Sequence, residues 1–76
     1  MDRGMPRTGI VPTPTGKRIT FYAKALNPVG RVGQLLITRD HGPDGRLISK
    51  THEWTGIVYR DDREADRDIT RLNCGG

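Results

Sequence analysis

Four arginines in the C-terminal third of the chain have a spacing that could do chemistry. At 100° per residue, helical positions 63, 67 and 71 fall within about 60° of position 60, so their side chains would form one column along a helix. Guanidinium groups bind phosphate through paired hydrogen bonds, which would let such a column meet a nucleic-acid backbone. We call this set the arginine column: Arg60, Arg63, Arg67 and Arg71.

Acidic residues beside the same arginines permit a second interpretation. Asp62 and Asp66 flank the column on one side, and Glu64 and Asp68 flank it on the other; Glu64, Asp66 and Asp68 each stand three or four positions from an arginine. Opposite charges at this spacing form ion pairs on the surface of a helix. The pattern therefore fits either an anion-binding surface or an ordinary salt-bridged helix in solvent.

The N-terminal segment adds basic residues of a different kind. Residues 1–16 contain three prolines, three glycines and three threonines, so they have little apolar surface to bury. We predict a flexible basic arm at 1–16 and a single small domain at 17–76. Such an arm could follow a phosphate backbone and gain affinity from released counterions. The predicted nucleic-acid-binding residues are Arg3, Arg7, Lys17, Arg18, Arg60, Arg63, Arg67 and Arg71.

The distribution of charge favours a competing class of function. The chain carries a net charge of +4, of which residues 1–18 contribute +3, so the remainder is close to neutral. A near-neutral domain suits a small regulator or inhibitor that binds another protein through a sheet face or an exposed edge strand. The 76 residues are 33% hydrophobic, which predicts a thin core and leaves homodimer formation open.

Residues with catalytic or metal-binding side chains do not form a recognisable motif. A zinc-protease helix needs a second histidine four positions after His52, where Gly56 stands. The glycines, aspartates and proline of residues 40–45 predict a turn without any ion. The single cysteine, Cys74, can form neither an internal disulfide nor a zinc cluster. We therefore predict a binding module that is not an enzyme and uses no cofactor or metal.

The hydropathy of the chain bears on its location. Its longest apolar run, Leu35-Leu36-Ile37, is far shorter than the roughly 20 residues that span a bilayer, and no charged-then-apolar leader precedes it. The lone cysteine fits a reducing compartment. These features predict a cytoplasmic protein with no membrane partner.

Three segments have the composition and alternation of β-strands. They are residues 18–26, 34–39 and 46–54, and a proline- and glycine-containing turn at 27–30 joins the first two as a hairpin. Residues 57–59 could continue the third strand or form a short fourth one. Alternation places Ile19, Phe21, Ala23 and Ala25 on one side of the first strand, and Ile48, Lys50, His52 and Trp54 on one side of the third.

The C-terminal segment predicts a helix. Asp61 and Glu64 have the spacing of a capping box, and Ala65, Ile69 and Leu72 form an apolar stripe that would face the sheet. We predict an α+β fold with a three- to four-stranded antiparallel sheet, one C-terminal helix packed on one face, and a disordered N-terminal arm. The predicted core is Ile19, Phe21, Leu35, Ile37, Trp54, Ala65, Ile69 and Leu72.

Four residues around the start of this helix carry a family resemblance. With Gly56 and Tyr59 at a strand end and Glu64-Ala65 in the helix, the chain resembles the arm-site DNA-binding domains of tyrosine-type phage integrases. The resemblance implies a three-stranded sheet followed by one helix over about residues 18–73, and DNA contacts made by the sheet. The long 40–45 connection and the acid-flanked helix depart from that family's pattern.

Overall fold

The computed structural model describes residues 8–74, and it confirms the α+β class. The sheet is antiparallel with its strands in sequence order, and one helix follows it. The elements are β1 (Gly9–Thr13), β2 (Gly16–Leu26), β3 (Val32–His41), β4 (Leu47–Val58) and α1 (Asp62–Asn73).

The first strand lies within the segment predicted to be a flexible arm. Residues 1–7 lie outside the described part of the chain, whereas Gly9–Thr13 pairs with β2, so the arm prediction is wrong from Gly9 onward. The backbone hydrogen bonds of an edge strand order this segment although Ile10 and Val11 stay 65% and 59% exposed. Gly16, at φ 150°, is required where β2 begins, because an added Cβ would collide with the carbonyl oxygen of His41.

Residues 57–59 do not form a separate fourth strand after the third predicted one. Ile57 and Val58 continue β4, and Tyr59 follows the strand with its N–H donating to the Val32 carbonyl oxygen at 2.8 Å. The register jumps between the pair Leu35–Trp54 and the pair Gly33–Val58, with Gly56 at φ 97° inside the resulting bulge.

The helix begins as the capping-box spacing predicts. The Asp61 side chain accepts the Glu64 N–H at 2.9 Å, and the Glu64 carboxylate accepts the Arg60 N–H at 2.7 Å. Of the predicted stripe, Ala65 is fully buried, whereas Ile69 and Leu72 are half-buried. The stripe therefore faces the sheet, as predicted.

The helix covers the face of the sheet opposite to Ile19, Phe21 and Ile37, which the predicted core grouped with the helix stripe. Tyr22, Lys24 and Gln34 share a face by alternation and register, and each contacts α1 or the segment leading into it. Tyr22 and Tyr59 are 6% and 5% exposed, so the core between the layers is built around them.

The predicted core is therefore divided between the two faces. Ile37 is buried as predicted, at 8% exposure, but it lies on the face without the helix. Placing Trp54 in the core is wrong, since it is 41% exposed. The helix is held over the more polar face because that face offers hydrogen-bond and ion-pair partners for α1.

Candidate nucleic-acid interface

The side of the sheet opposite α1, which we call the uncovered face, brings together side chains from all the strands. Successive residues of a strand point to opposite sides, so the register identifies the members of this face. They include Ile10 of β1; Lys17, Ile19, Phe21, Ala23 and Ala25 of β2; Gly33, Leu35, Ile37 and Arg39 of β3; and Lys50, His52 and Trp54 of β4.

The uncovered face carries positive charge without a compensating carboxylate. Lys17, Arg39 and Lys50 belong to it, and no Asp or Glu does among residues 8–74. Asp40 and Glu53 alternate onto the helix side of the sheet. Arg39 and Lys50 are direct cross-strand partners, a like-charge pairing that costs stability in a sheet. An external anion would relieve that repulsion.

Arg39 is held in place by an aromatic ring. Its guanidinium carbon lies 5.5 Å from the centroid of the Phe21 ring, within the range of a cation–π contact. Among the described residues, the buried Nε of Arg39 has no hydrogen-bond partner. The side chain is therefore oriented by its contact with Phe21, and no ion pair of Arg39 is found within the described residues.

Trp54 lies at the other end of the same face. Its six-membered ring lies against Gly33, where an added Cβ would come within 3.1 Å of the ring. The neighbouring positions on β2 are Ala25, paired with Gly33, and Ala23, paired with Leu35. Gly33 and Leu35 thus lie next to the indole, the two alanines lie one strand further away, and 41% of Trp54 remains open to solvent.

Three members of the arginine column, Arg63, Arg67 and Arg71, lie on α1, whereas Arg60 precedes the N-cap residue Asp61 and is outside the helix. Arg60 is 3.8 Å from the Glu64 carboxylate, and Arg71 donates to Asp68. Arg63 and Arg67 are exposed and form no ion pair within the described chain. Both interpretations of the column thus have members that fit them.

The acidic flank of the column partly serves the fold. The Lys24 ammonium lies 2.8 Å from Asp66 and 3.5 Å from Asp62, and these contacts raise its pKa, chiefly through the hydrogen bond to Asp66. These pairs join the first half of α1 to β2.

Of the remaining predicted binding residues, one forms an ion pair within the sheet and one lies on the uncovered face. Arg18 donates to both carboxylate oxygens of Asp40, at 2.7 and 3.3 Å, and that hydrogen bond lowers the Asp40 pKa while raising the pKa of Arg18. Lys17, its neighbour, lies on the uncovered face. Arg3 and Arg7 lie outside the described residues. Of the predicted set, only Lys17 thus joins Arg39 and Lys50.

A buried polar network holds α1 to the sheet. Gln34 Nε2 donates to the Tyr59 hydroxyl at 2.7 Å, and that hydroxyl donates to Asp68 at 2.7 Å. Burial, followed by the bond to Asp68, raises the Tyr59 pKa, and the same bond lowers the Asp68 pKa together with Arg71. All of these groups have partners inside the protein, so the network accounts for docking of the helix.

Sequence reasoning missed Arg39 and Trp54 as surface groups. The alternation that placed Lys50, His52 and Trp54 on one face was a usable signal, because no acidic residue stands at those alternate positions. Within residues 8–74, no three potential metal-ligating side chains cluster, and no helix is long and apolar enough to cross a membrane.

Comparisons with protein-family models, curated proteins and solved structures find no match to this chain.

Proposed function

We propose that this protein binds nucleic acid through the uncovered face, with Lys17, Arg39 and Lys50 contacting the phosphates. The observation that carries the proposal is the segregation of charge between the two sides of the sheet. Cations on the helix side, such as Lys24 and Arg18, lie against carboxylates. Those on the uncovered face have none beside them on that face among the described residues.

The positions of the three cations suit an extended polyanion. They stand on three neighbouring strands, with Arg39 opposite Lys50 and two positions from the pair Lys17–His41. Neighbouring strands are about 4.8 Å apart, so the group spans roughly 10 Å across the sheet. A phosphate backbone that crosses the strands can meet all three and release counterions in doing so.

A salt titration with paired variants tests the proposal. Binding of a labelled oligonucleotide would be followed by fluorescence anisotropy at several salt concentrations. Replacing Arg39 and Lys50 by glutamine should weaken binding and lower the slope of log affinity against log salt by about 1.4 for single strands, or about 1.8 for a duplex. The matched control replaces Arg63 and Arg67, which tests the arginine column as an alternative site. Unchanged affinity and slope in the Arg39/Lys50 variant would refute the sheet-face assignment.

An edge strand favours the second candidate, a small regulator or inhibitor that binds another protein. β4 is an outer strand of the sheet, and all of its residues are exposed. Leu47, Ile48, Ile57 and Val58 are 47–61% exposed along it. Such an edge can accept a strand from a partner, and that contact would respond weakly to salt.

A further inference from the structure

We infer that the ligand of the uncovered face is single-stranded nucleic acid, with one base stacked on Trp54. This inference rests on the proposed function and specifies the form of its ligand. Two features at opposite ends of one face support it. They are the cations around Arg39 and the partly exposed indole of Trp54.

The indole of Trp54 packs against the backbone of β3 at Gly33. Packing of its six-membered ring against Gly33 limits the motion of the indole, so little side-chain freedom is lost when a ligand stacks on it. Its 41% exposure leaves ring surface for a second planar group. Base–aromatic stacking needs such a ring and tolerates any base, since every base has a π-face.

Space for a flat group lies beside the indole ring of Trp54. Gly33, with Ala25 and Ala23 on the next strand, keeps part of this end of the face low, in contrast to the larger Phe21, Ile37 and Arg39 further along. Leu35, the cross-strand partner of Trp54, borders this low area, and a flat base could lie over Gly33 next to the indole.

One nucleic-acid strand can reach both Trp54 and the cations. Trp54 and Lys50 are four residues apart on β4, a distance of about 13 Å along the strand. A few nucleotides can cover that distance, so a strand with one base at Trp54 can place its phosphates at Lys50 and Arg39. In a duplex, the faces of the bases are covered by their neighbours, and only an unpaired base can stack on a side chain.

The single tryptophan of the chain makes the test direct. Intrinsic fluorescence would be recorded while a single-stranded thymidine oligonucleotide, or a duplex of the same length, is added. We expect the single strand to quench Trp54 and to bind more tightly than the duplex. By anisotropy, Trp54→Leu should weaken single-strand binding about fivefold to a hundredfold, and Trp54→Phe should lose much less.

Two further variants separate stacking from a general loss of structure. Ile57→Thr is the matched control, since Ile57 lies on the same strand with a similar exposure of 47%, and it should bind like the parent. Gly33→Ala keeps the indole but pushes on it, and it should weaken binding of the single strand. Circular dichroism melts would show that each variant is folded. If Trp54→Leu fails to fold, Gly33→Ala decides the matter, and unchanged single-strand binding in that folded variant would overturn the inference.

The outcomes separate failure of the inference from failure of the proposed function. Binding that depends on Arg39 and Lys50, but treats duplex and single strand alike and ignores Trp54→Leu, would overturn the single-strand inference alone. No binding of either nucleic acid at low salt would overturn both. Binding of polyglutamate with loss of selectivity for nucleic acid would point to an acidic protein partner and also overturn both.

Discussion

The two sides of the sheet use charge in opposite ways. On the helix side, Lys24 lies between Asp62 and Asp66, and Arg18 is paired with Asp40. On the uncovered face, Arg39 and Lys50 lie opposite each other without a carboxylate among the described residues of that face. The near neutrality of the folded part therefore hides a separation of charge. Charges that hold the helix are matched within the protein, whereas those on the other side have no carboxylate beside them on that face among the described residues.

The largest effect should follow from breaking the helix side at Tyr59. Tyr59→Ala removes a side chain that is only 5% exposed, and such truncations cost about 3–5 kcal/mol. A domain this small has little more stability than about 5 kcal/mol, so we expect loss of the fold. Tyr59→Phe should cost about 1–3 kcal/mol, because Gln34 and Asp68 lose a buried partner.

Urea denaturation measures both changes. Tyr22→Phe is the matched control, since the Tyr22 side chain is similarly buried and its hydroxyl has no hydrogen-bond partner within residues 8–74. A Tyr59→Phe variant as stable as Tyr22→Phe would mean that the hydroxyl network does not hold the helix.

The end of the helix should show the next largest effect. The Asn73 side chain accepts the Tyr22 N–H and donates to the Tyr22 carbonyl oxygen, both at 2.8 Å, as a neighbouring strand would. Asn73→Ala removes both bonds and should cost about 1–3 kcal/mol by urea denaturation. Cys74→Ala, at the next and exposed position, should change little. Equal stability of the two variants would show that Asn73 only ends the helix.

The pH dependence of stability provides a third test of the helix side. The Tyr59 pKa is raised above its ordinary value of 10.0, so its contribution is present below about pH 10 and is lost as pH rises through the folded-state pKa. The Asp68 pKa is lowered from 3.8, so its contribution is present above that value and is lost as pH falls through the folded-state pKa. Stability should therefore be level between these limits.

Variants assign the alkaline edge of that profile. In urea unfolding across pH, Tyr59→Phe should reduce the loss of stability above pH 10, whereas Tyr22→Phe should keep it. A parent protein whose stability does not fall in strong alkali would contradict the raised pKa of Tyr59.

Local patterns predicted the elements better than they predicted their packing. The capping box of Asp61 and Glu64, the helix stripe and the alternation of β2 depend on residues near in sequence, and the structure contains all of them. The predicted core then grouped Ile19 and Phe21 with the helix stripe because all are apolar, whereas the helix packs on the other face. The contacts that place it on the other face join residues far apart, such as Tyr22 with Asn73, and no periodicity reports such specific pairs.

The same limit explains two further errors, at β1 and at Trp54. β1 is ordered by backbone pairing to β2, which a composition rich in proline and glycine does not reveal. Trp54 counted as core because large aromatic side chains usually are. Trp54 lies instead on the face without the helix and in an outer strand of the sheet, and 41% of it is exposed.

The smallest predicted effects differ in sign between the two faces. Lys50→Thr removes a like-charge neighbour of Arg39 and should raise stability by about 0.2–1 kcal/mol. Lys24→Thr removes the ion pairs with Asp62 and Asp66 and should lower it by up to about 1 kcal/mol. Both changes replace lysine by threonine within a strand, so their shared gain in strand propensity cancels in the difference.

Measurements at two salt concentrations test whether that difference in sign is electrostatic. Urea unfolding of the parent and both variants would be measured at low and at high salt. Screening weakens repulsion and attraction alike, so the gain from Lys50→Thr and the loss from Lys24→Thr should both shrink at high salt. If both variants shift stability in the same direction by the same amount at low salt, the charges on the two faces are equivalent. The separation of charge that supports binding at the uncovered face would then have no energetic basis.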